Sequence, residues 1–283
     1  MSPTFIHIIF IRFSVPIAYG KTGITIDDSW LKYRLDIFKR ITLPSLENQT
    51  NQNFYICVFF DARSPQWLIE ENEREALRWQ RRYFPIYVVS NADVIEKSDT
   101  LALNLLKTND SFIISSRIDS DDAYHKKAIE ALQNCFSAQE YRAFTFSKLL
   151  CFRDKPKTVI SKYRYRNSPF ISVIEKAKTP LHISLFDKPH TAYTDATELN
   201  EIPYALQYIH GSNVANSVRG YAAHGVNLSD YGLSFVISRS YIAMLWETMR
   251  LSIVAKNIYK LKKPTGKRIC FISRFFQRLI RRS

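Results

Sequence analysis

Clustered carboxylates in the first half of the chain are its clearest candidates for chemistry. Asp119, Asp121 and Asp122 follow directly after the apolar run Phe112-Ile113-Ile114. Carboxylate oxygens at the end of a strand can hold a hard divalent cation that keeps open positions for substrate phosphates. The cluster therefore predicts contact with a metal ion or a phosphorylated substrate. The competing structural explanation is a helix N-terminus near Tyr124 that is capped by Asp122.

Two other acidic motifs fit this cluster less well. A calcium-binding loop starting at Asp119 would need a ligand and then a Gly where the chain has Ala123 and Tyr124. A phosphohydrolase with an aspartyl nucleophile usually carries its paired Asp after the first strand and needs a further acidic pair downstream. Here the cluster follows the fourth predicted strand, which disfavours this class. A metal-dependent phosphohydrolase is nevertheless kept as an alternative.

A second candidate motif is His210-Gly211-Ser212-Asn213. Gly lets the backbone approach a ligand closely, Ser and Asn can donate to phosphate oxygens, and His can bind a metal or stabilise a leaving diphosphate. An ordinary turn after a strand is the competing explanation. Arg12 and Asp61 could line a nucleotide pocket, but an ion pair for Arg12 and a turn for Asp61 explain them equally well.

Apolar runs alternate with helical patterns over the first half of the chain. Strands are predicted at 5–11, 54–60, 85–89 and 111–116, and helices at 30–46, 64–82, 99–106 and 125–136. Pro44 should kink the first helix or begin a second short one. This alternation predicts an α/β fold with a mostly parallel central sheet flanked by helices, in which ligands bind beyond the carboxyl ends of the strands. Arg12, Asp61 and Asp119 each stand at such an end.

The second half of the chain is less regular. It predicts a strand pair or one long strand over 141–151, a loop-rich stretch over 180–200 and a helix over 240–259. We predict one domain over residues 1–239, made of a nucleotide-binding half (1–124) and an acceptor half (125–239). A C-terminal helix and a basic tail follow it (240–283).

Composition and charge bound the class of protein. The four Cys have no CxxC spacing, which argues against zinc or a disulfide framework and fits a reducing cytosol. No apolar run reaches the 18 residues of a membrane helix, and the N-terminal segment lacks the basic start of a signal peptide, so a buried first strand is expected. The net charge is +14, and ten Lys or Arg without any acid follow from Lys256 onward.

The C-terminal segment 267–283 has the pattern of a basic amphipathic helix. Apolar residues recur at helical spacing from Ile269 to Ile280, and Arg fills much of the remaining face. Such helices bind anionic membrane surfaces, and the interleaved apolar residues disfavour an RNA-binding arm. A non-enzymatic adaptor at a membrane or on RNA is kept as a second class of function.

Several stretches, taken in order, resemble glycosyltransferases of the GT-A nucleotide-sugar class, and more narrowly the rhamnosyltransferase family of bacteria. They are Arg12-Phe13-Ser14, Trp30 with Arg34 and Phe38, Thr42-Leu43-Pro44-Ser45-Leu46 with Gln49-Thr50, Phe54 to Asp61, Arg117 to Ala123, and Ile209 to Asn213. The resemblance implies transfer of a sugar, with rhamnose as one candidate, from a nucleotide-sugar donor to a cell-surface glycan or lipid-linked glycan acceptor. Together with the basic C-terminal segment, which lies outside the resemblance, it leads us to expect a cytoplasmic enzyme at the periphery of the inner membrane.

The resemblance also implies roles for individual residues. Mn²⁺ or Mg²⁺ would join the donor diphosphate to Asp119-Ser120-Asp121, with Asp121 as the direct ligand. Asp119 would contact the ribose or a metal-bound water, and Asp122 would assist the metal or cap a helix. His210 would close the metal or phosphate side of the site.

The remaining implied contacts concern the nucleotide and the acceptor. The nucleotide pocket would be lined by Arg12, Asp61 and Arg117, and the diphosphate would meet Ser212 and Asn213. An inverting transfer also needs a base for the acceptor hydroxyl. The unranked candidates for it are Asp187, Asp195 and Glu198, and the stereochemistry stays open.

Overall fold

The structure is a computed structural model, and its described residues form two β-sheets and six α-helices. The described residues are 4–15, 27–107, 110–138, 140–177, 185–186, 188–210, 217–235 and 240–261. In the last range, side chains are described as far as Leu251. The strands are β1 Thr4–Arg12, β2 Tyr55–Asp61, β3 Tyr83–Val88, β4 Asp110–Asp119, β5 Asp122–Tyr124, β6 Tyr141–Phe146, β7 Lys148–Arg153, β8 Val159–Arg164, β9 Ile171–Lys176, β10 Thr197–Leu199, β11 Ala205–Tyr208 and β12 Tyr221–Ala222. The helices are α1 Asp28–Ile37, α2 Leu43–Glu47, α3 Gln66–Arg78, α4 Asn91–Leu105, α5 Ala128–Asn134 and α6 Tyr241–Leu261.

The larger sheet has the strand order β10-β6-β9-β4-β1-β2-β3. Strands β4, β1, β2 and β3 run parallel, β9 runs antiparallel between β4 and β6, and β10 is parallel to β6. Its central strands are apolar on both faces because helices cover both: α1, α2, α3 and α5 pack on one side and α4 on the other. The predicted α/β fold with a mostly parallel sheet is confirmed.

A smaller sheet, β12-β8-β7-β11-β5, packs beside the first. The stretch 141–151 does contain two strands, but β6 and β7 belong to different sheets and do not pair with each other. Strands β6, β9 and β10, which follow residue 124, complete the larger sheet, so the two halves of the chain share it. Helix α6 packs on the smaller sheet through the buried Met244.

The first helical segment follows the predicted pattern closely. The Asp27 carboxylate accepts a hydrogen bond from the Trp30 amide at 2.8 Å and caps α1. A π-helical turn, Phe38–Thr42, then leads into α2, which has Pro44 in its first turn. The second short helix at Pro44 is therefore confirmed.

Two other helix starts differ from the predictions for local reasons. Helix α4 begins at Asn91, because the Ser90 hydroxyl accepts a hydrogen bond from the Asp93 amide at 3.2 Å and caps it earlier than expected. Helix α5 begins only at Ala128, because residues Asp122–Tyr124 form β5. The interpretation of Asp122 as a helix cap is therefore wrong.

None of the described helices combines the length and the hydropathy needed to cross a membrane. Helix α6 is the longest of them, and several of its apolar side chains are exposed. Among its exposed side chains, Ile242, Trp246 and Met249 are apolar. These three positions lie on one side of the helix, because residues four and seven apart fall on the same face.

His7 in β1 is buried in a polar network that should make stability depend on pH. Its Nδ1 accepts a hydrogen bond from Gln133 at 3.2 Å, so Nε2 carries the hydrogen and donates to the Ser116 hydroxyl at 2.8 Å. Burial lowers the pKa of His7 from 6.5 to about 3. In the unfolded chain, His7 is therefore protonated below about pH 6.5, whereas in the folded chain it is protonated only below about pH 3.

We therefore expect the free energy of unfolding to fall between about pH 6.5 and pH 3, with His7 contributing up to about 1.4 kcal/mol per pH unit. Urea unfolding at pH 7 and pH 5 measures this slope. In His7→Gln the contribution should vanish, and an unchanged slope in that variant would contradict the role of His7.

Candidate functional site

The chain reverses direction across the larger sheet between β1 and β4. It runs from β1 to β2 and β3 on one side and then crosses to β4 on the other side of β1. At such a reversal the connecting segments diverge and leave a crevice beyond the carboxyl ends of the two strands, where ligands bind in open α/β sheets. Arg12 and Asp119 are register partners at these two ends. A cation and a carboxylate therefore stand side by side at the edge of the crevice.

Asp121, His210 and Arg34 meet beside this edge, although they lie far apart in the sequence. The Asp121 Oδ2 lies 2.9 Å from the His210 Nε2 and 3.0 Å from the Arg34 Nη1. Arg34 Nη1 is also 3.1 Å from His210 Nε2, and Arg34 Nη2 donates to the Ser120 hydroxyl at 2.8 Å. The three side chains are largely shielded, with exposed fractions of 11% for Arg34, 11% for Asp121 and 3% for His210.

His210 is held in place by the strand before it and by aromatic neighbours. The backbone amide of Ile209 donates to the Phe152 carbonyl at 2.7 Å, which continues the pairing of β11 with β7. The His210 ring stacks on Tyr208 with centroids 5.8 Å apart, and the Tyr33 hydroxyl lies 3.3 Å from its Nδ1. These contacts fix the direction in which Nε2 points.

Helix α2 connects the first helical segment to the acidic turn. The Ser45 hydroxyl accepts a hydrogen bond from the Tyr124 amide at 3.1 Å. The Gln49 amide donates to the Ser45 and His125 carbonyls and accepts from the Ile129 amide at 3.1 Å. The motif that contains Ser45 and Gln49 therefore acts as a scaffold, because it links α2 to β5 and α5 close to Asp121.

Asp121 is ionised at neutral pH. Burial raises the pKa of its carboxyl, but the Arg34 guanidinium and the His210 ring outweigh burial and hold that pKa at about 2. A buried carboxylate that keeps its charge in this way is available to a cation.

Asp122 differs from Asp121 in its environment and in the direction in which its pKa is shifted. Its Oδ1 accepts a hydrogen bond from the Tyr208 amide at 3.1 Å and supports the pairing of β5 with β11, and its Oδ2 has no hydrogen-bond partner among the described residues. Burial, followed by the charges of Asp121 and Asp119, raises the pKa of Asp122 well above its usual range. It lies in the pairing of β5 with β11, apart from the contacts of Asp121 with His210.

Two arginines and an aromatic ring line the other side of the crevice. The Arg12 guanidinium lies 4.6 Å from the centre of the Phe186 ring, and that of Arg117 lies 5.1 Å from it. Arg117 is almost fully buried, and its Nη2 stands 3.8 Å from Asp119 Oδ1. Its Nε has no hydrogen-bond partner in the part of the chain that the structure describes. A buried guanidinium of this kind is suited to an anionic ligand.

Asp61 is already engaged by a neighbour. Its two oxygens accept hydrogen bonds from the Arg63 side chain at 2.9 and 2.7 Å, and Oδ1 also accepts from the Arg63 amide. These contacts form a turn directly after β2, and a turn was one of the two explanations that the sequence offered for Asp61. Its role in a nucleotide pocket stays a prediction.

The candidate bases lie apart from this cluster or outside the described residues. Glu198 is in β10 at the edge of the larger sheet, three strands from β4, and it pairs with Arg164 at 2.7 Å and Arg166 at 3.0 Å. Asp195 is exposed in the segment before β10. The other predicted contacts fall outside the described residues, and they are Asp187, Ser212, Asn213 and the tail 267–283.

The donor atoms at Asp121 and His210 fit a divalent cation that is shared with a substrate. Among the described residues no three His, Cys, Asp or Glu side chains converge as a complete metal cage. Mg²⁺ in phosphate-binding enzymes is typically held by one or two carboxylates together with the substrate phosphates. Neighbouring ligands of an octahedral ion with bonds near 2.1 Å lie about 3.0 Å apart. The 2.9 Å between Asp121 Oδ2 and His210 Nε2 matches this spacing.

Sheet, crevice and charged cluster together define an α/β enzyme fold whose strand ends are suited to phosphates. The sequence matches the family described as "Putative rhamnosyl transferase" over residues 10–222. The chain belongs to this family. No curated protein sequence matches the chain.

Some solved structures have a limited likeness to the chain. TarS 1-349 of S. aureus is 13% identical over 72% of this chain and 60% of that chain, with a TM-score of 0.42. GlyE of Streptococcus pneumoniae TIGR4 is 10% identical over 94% of this chain and 66% of that one, with a TM-score of 0.39. The inositol-1-phosphate CTP transferase of T. maritima is 12% identical over 71% of this chain and 89% of that chain, with a TM-score of 0.35. The chain thus spans 60% of the TarS fragment.

Sequence reasoning did not assign some of the residues at this site. Arg34 appeared only as part of a family stretch, and Tyr33 and Phe186 were not singled out. The spacing of α1 could have singled out Arg34, because this charged residue lies on one helical face between the buried Leu31 and Ile37. No sequence pattern connects Phe186 with Arg12 and Arg117.

Proposed function

We propose that the chain transfers a sugar from a nucleotide-sugar donor whose diphosphate binds beyond the ends of β1 and β4. One observation carries this proposal: the convergence of Asp121 with His210 beside the strand reversal, where the sheet leaves a crevice. The leaving nucleoside diphosphate gains negative charge, and preorganised positive groups at that place stabilise it. Rhamnose is the first donor sugar to test, because of the family to which the chain belongs.

Mn²⁺ or Mg²⁺ is the proposed cofactor, held by Asp121 and His210 with Asp119 nearby. When bound, such an ion neutralises charge on the leaving diphosphate. The chain's own residues do the rest of the positioning. Tyr33 and Tyr208 orient His210, and Arg12 and Arg117 offer guanidinium groups to a phosphate or to the nucleotide.

Incubation of the purified protein with a panel of nucleotide sugars, nucleotide-activated rhamnose among them, tests the donor. We expect hydrolysis or transfer from one donor in Mn²⁺ or Mg²⁺ and much less in EDTA. Turnover of no donor overturns the proposal. Release of phosphate from simple phosphoesters through a covalent aspartyl intermediate favours the phosphohydrolase instead.

A glycan or lipid-linked glycan is the proposed acceptor, and an anionic membrane surface is the proposed partner of the C-terminal region. Helix α6 supports the membrane part, because Ile242, Trp246 and Met249 are 66%, 68% and 50% exposed on one face. The buried Glu247 beside them is surrounded by Arg153, Lys157 and Arg250. This side of the helix therefore combines exposed apolar area with excess positive charge, as membrane-surface helices do.

We expect Trp246→Ser to lower the partition of the full chain onto anionic vesicles by about tenfold. Removing a large apolar side chain from a bilayer interface costs about 1.5 kcal/mol, which corresponds to that factor. Vesicle pelleting with phosphatidylglycerol and with phosphatidylcholine measures it. Leu77→Ser is the matched control, because Leu77 is 74% exposed on α3. Equal binding of the two variants, or binding to neutral vesicles alone, contradicts this contact.

A further inference from the structure

Arg34 lies between the two side chains that are proposed to hold the cation. Its Nη1 is 3.0 Å from Asp121 Oδ2 and 3.1 Å from His210 Nε2, while these two atoms are 2.9 Å apart. The guanidinium therefore contacts the same two atoms that would bind a divalent ion.

The three contacts cannot all be good hydrogen bonds at the same time. If His210 Nε2 carries a hydrogen, it donates to Asp121, and its contact with Arg34 then brings two donors together, because a guanidinium has no acceptor. If Nε2 has a lone pair instead, Arg34 can donate to it, but Nε2 and Asp121 Oδ2 are then two acceptors at 2.9 Å. A cation that binds both lone pairs removes this conflict.

We propose that Arg34 is a built-in competitor for the divalent cation at Asp121 and His210. It holds the two side chains together before the cation binds, and it withdraws from Asp121 Oδ2 when the cation arrives. The proposal rests on the metal part of the proposed function. Competition is strong here because the site is shielded from water, where charges interact more strongly than at a surface.

Arg34 has other groups that keep it in place around the site. Its Nη2 donates to the Ser120 hydroxyl at 2.8 Å, and its guanidinium carbon lies 5.8 Å from the centre of the Trp30 ring. The side chain can therefore leave Asp121 without leaving the crevice. Exchange of a single positive charge for a double one also makes the site more attractive to a diphosphate.

The test is Mn²⁺ binding by the full chain without any sugar donor, measured by calorimetry or by the electron paramagnetic resonance of unbound Mn²⁺. We expect Arg34→Met to bind Mn²⁺ at least tenfold more tightly than the wild type. Arg34→Lys, which has one point charge in place of a planar fork, should fall between them. Arg40→Met is the control, because Arg40 pairs with the exposed Asp36 on the neighbouring turn and should leave the affinity unchanged.

Thermal unfolding gives a second readout that does not depend on turnover. Arg34→Met should melt at a lower temperature than the wild type in EDTA, because the buried Asp121 charge has lost its guanidinium partner, and Mn²⁺ should restore much of the loss. If the wild type and both Arg34 variants bind Mn²⁺ equally, the competition is overturned and the metal site stands. If none of them binds Mn²⁺, both the competition and the metal site are overturned, whereas turnover of the nucleotide-sugar panel, with or without metal, decides the transferase proposal separately.

Discussion

Asp121→Asn is expected to reduce kcat/KM for sugar transfer by about 10²- to 10³-fold. Asn has nearly the same size but no charge, so the group that attracts a cation and aligns His210 and Arg34 is lost. Removal of one preorganised electrostatic group from an active site typically has an effect of this size. Initial rates with the donor identified from the nucleotide-sugar panel measure it.

The same substitution should also abolish Mn²⁺ binding, and a control that removes a negative charge elsewhere separates loss of the cation site from a general change in net charge. Asp36→Asn is a suitable control, since Asp36 is 57% exposed and pairs only with the surface Arg40 in the described contacts of its carboxylate. Circular dichroism of both variants shows whether they are folded. Full activity in folded Asp121→Asn would exclude this residue from the reaction.

Gly232→Ala is expected to destabilise the fold by about 3 kcal/mol or more. Gly232 has a φ of +70°, and a Cβ there would lie 2.6 Å from the Pro44 carbonyl carbon and 2.9 Å from the Ser45 amide nitrogen. The left-handed backbone costs a residue with a side chain about 1 kcal/mol, and overpacking against backbone adds about 1–3 kcal/mol. Chemical denaturation measures the loss.

The site should respond as well, because Ser45 accepts the hydrogen bond from Tyr124 that ties α2 to β5. A displaced α2 would move the acidic turn, so the residual folded protein should have a raised KM for the donor. Gly225→Ala is the matched control. Gly225 has a φ of +67° and open space within 4 Å of an added Cβ, so only the backbone cost of about 1 kcal/mol applies. Equal losses for the two variants would show that Pro44 and Ser45 do not restrict Gly232.

The larger sheet could be predicted because its signal is local. Strands β1 and β2 are long, mostly apolar runs that end at Arg12 and Asp61, and β4 contains the apolar run Phe112-Ile113-Ile114. The short strands β5, β10, β11 and β12 gave no such signal, because two to four residues hold too little periodicity. Asp122 was therefore expected at a helix start, whereas pairing of β5 with β11 places it in the smaller sheet.

The candidate site could be predicted in its acidic turn, in Arg12 and Arg117 and in His210. Carboxylates after a buried strand are visible in any reading of the chain, and their chemistry follows from residue type. The role of Arg34 was not visible, because it depends on the approach of α1 to a residue 87 positions later in the chain. Phe186 was missed for the same reason, since its contacts with Arg12 and Arg117 join distant segments.

The sequence by itself determined the order of the main strands and helices in the first half of the chain, the family, and the presence of a carboxylate cluster at a strand end. The tertiary structure decided which carboxylate does what. Asp121 contacts Arg34 and His210, which hold its pKa at about 2, whereas Asp122, one residue later, lies in a strand pairing where burial and neighbouring carboxylates raise its pKa. Charge in a buried site depends on what surrounds it, and those neighbours come from α1 and β11, which only folding brings together.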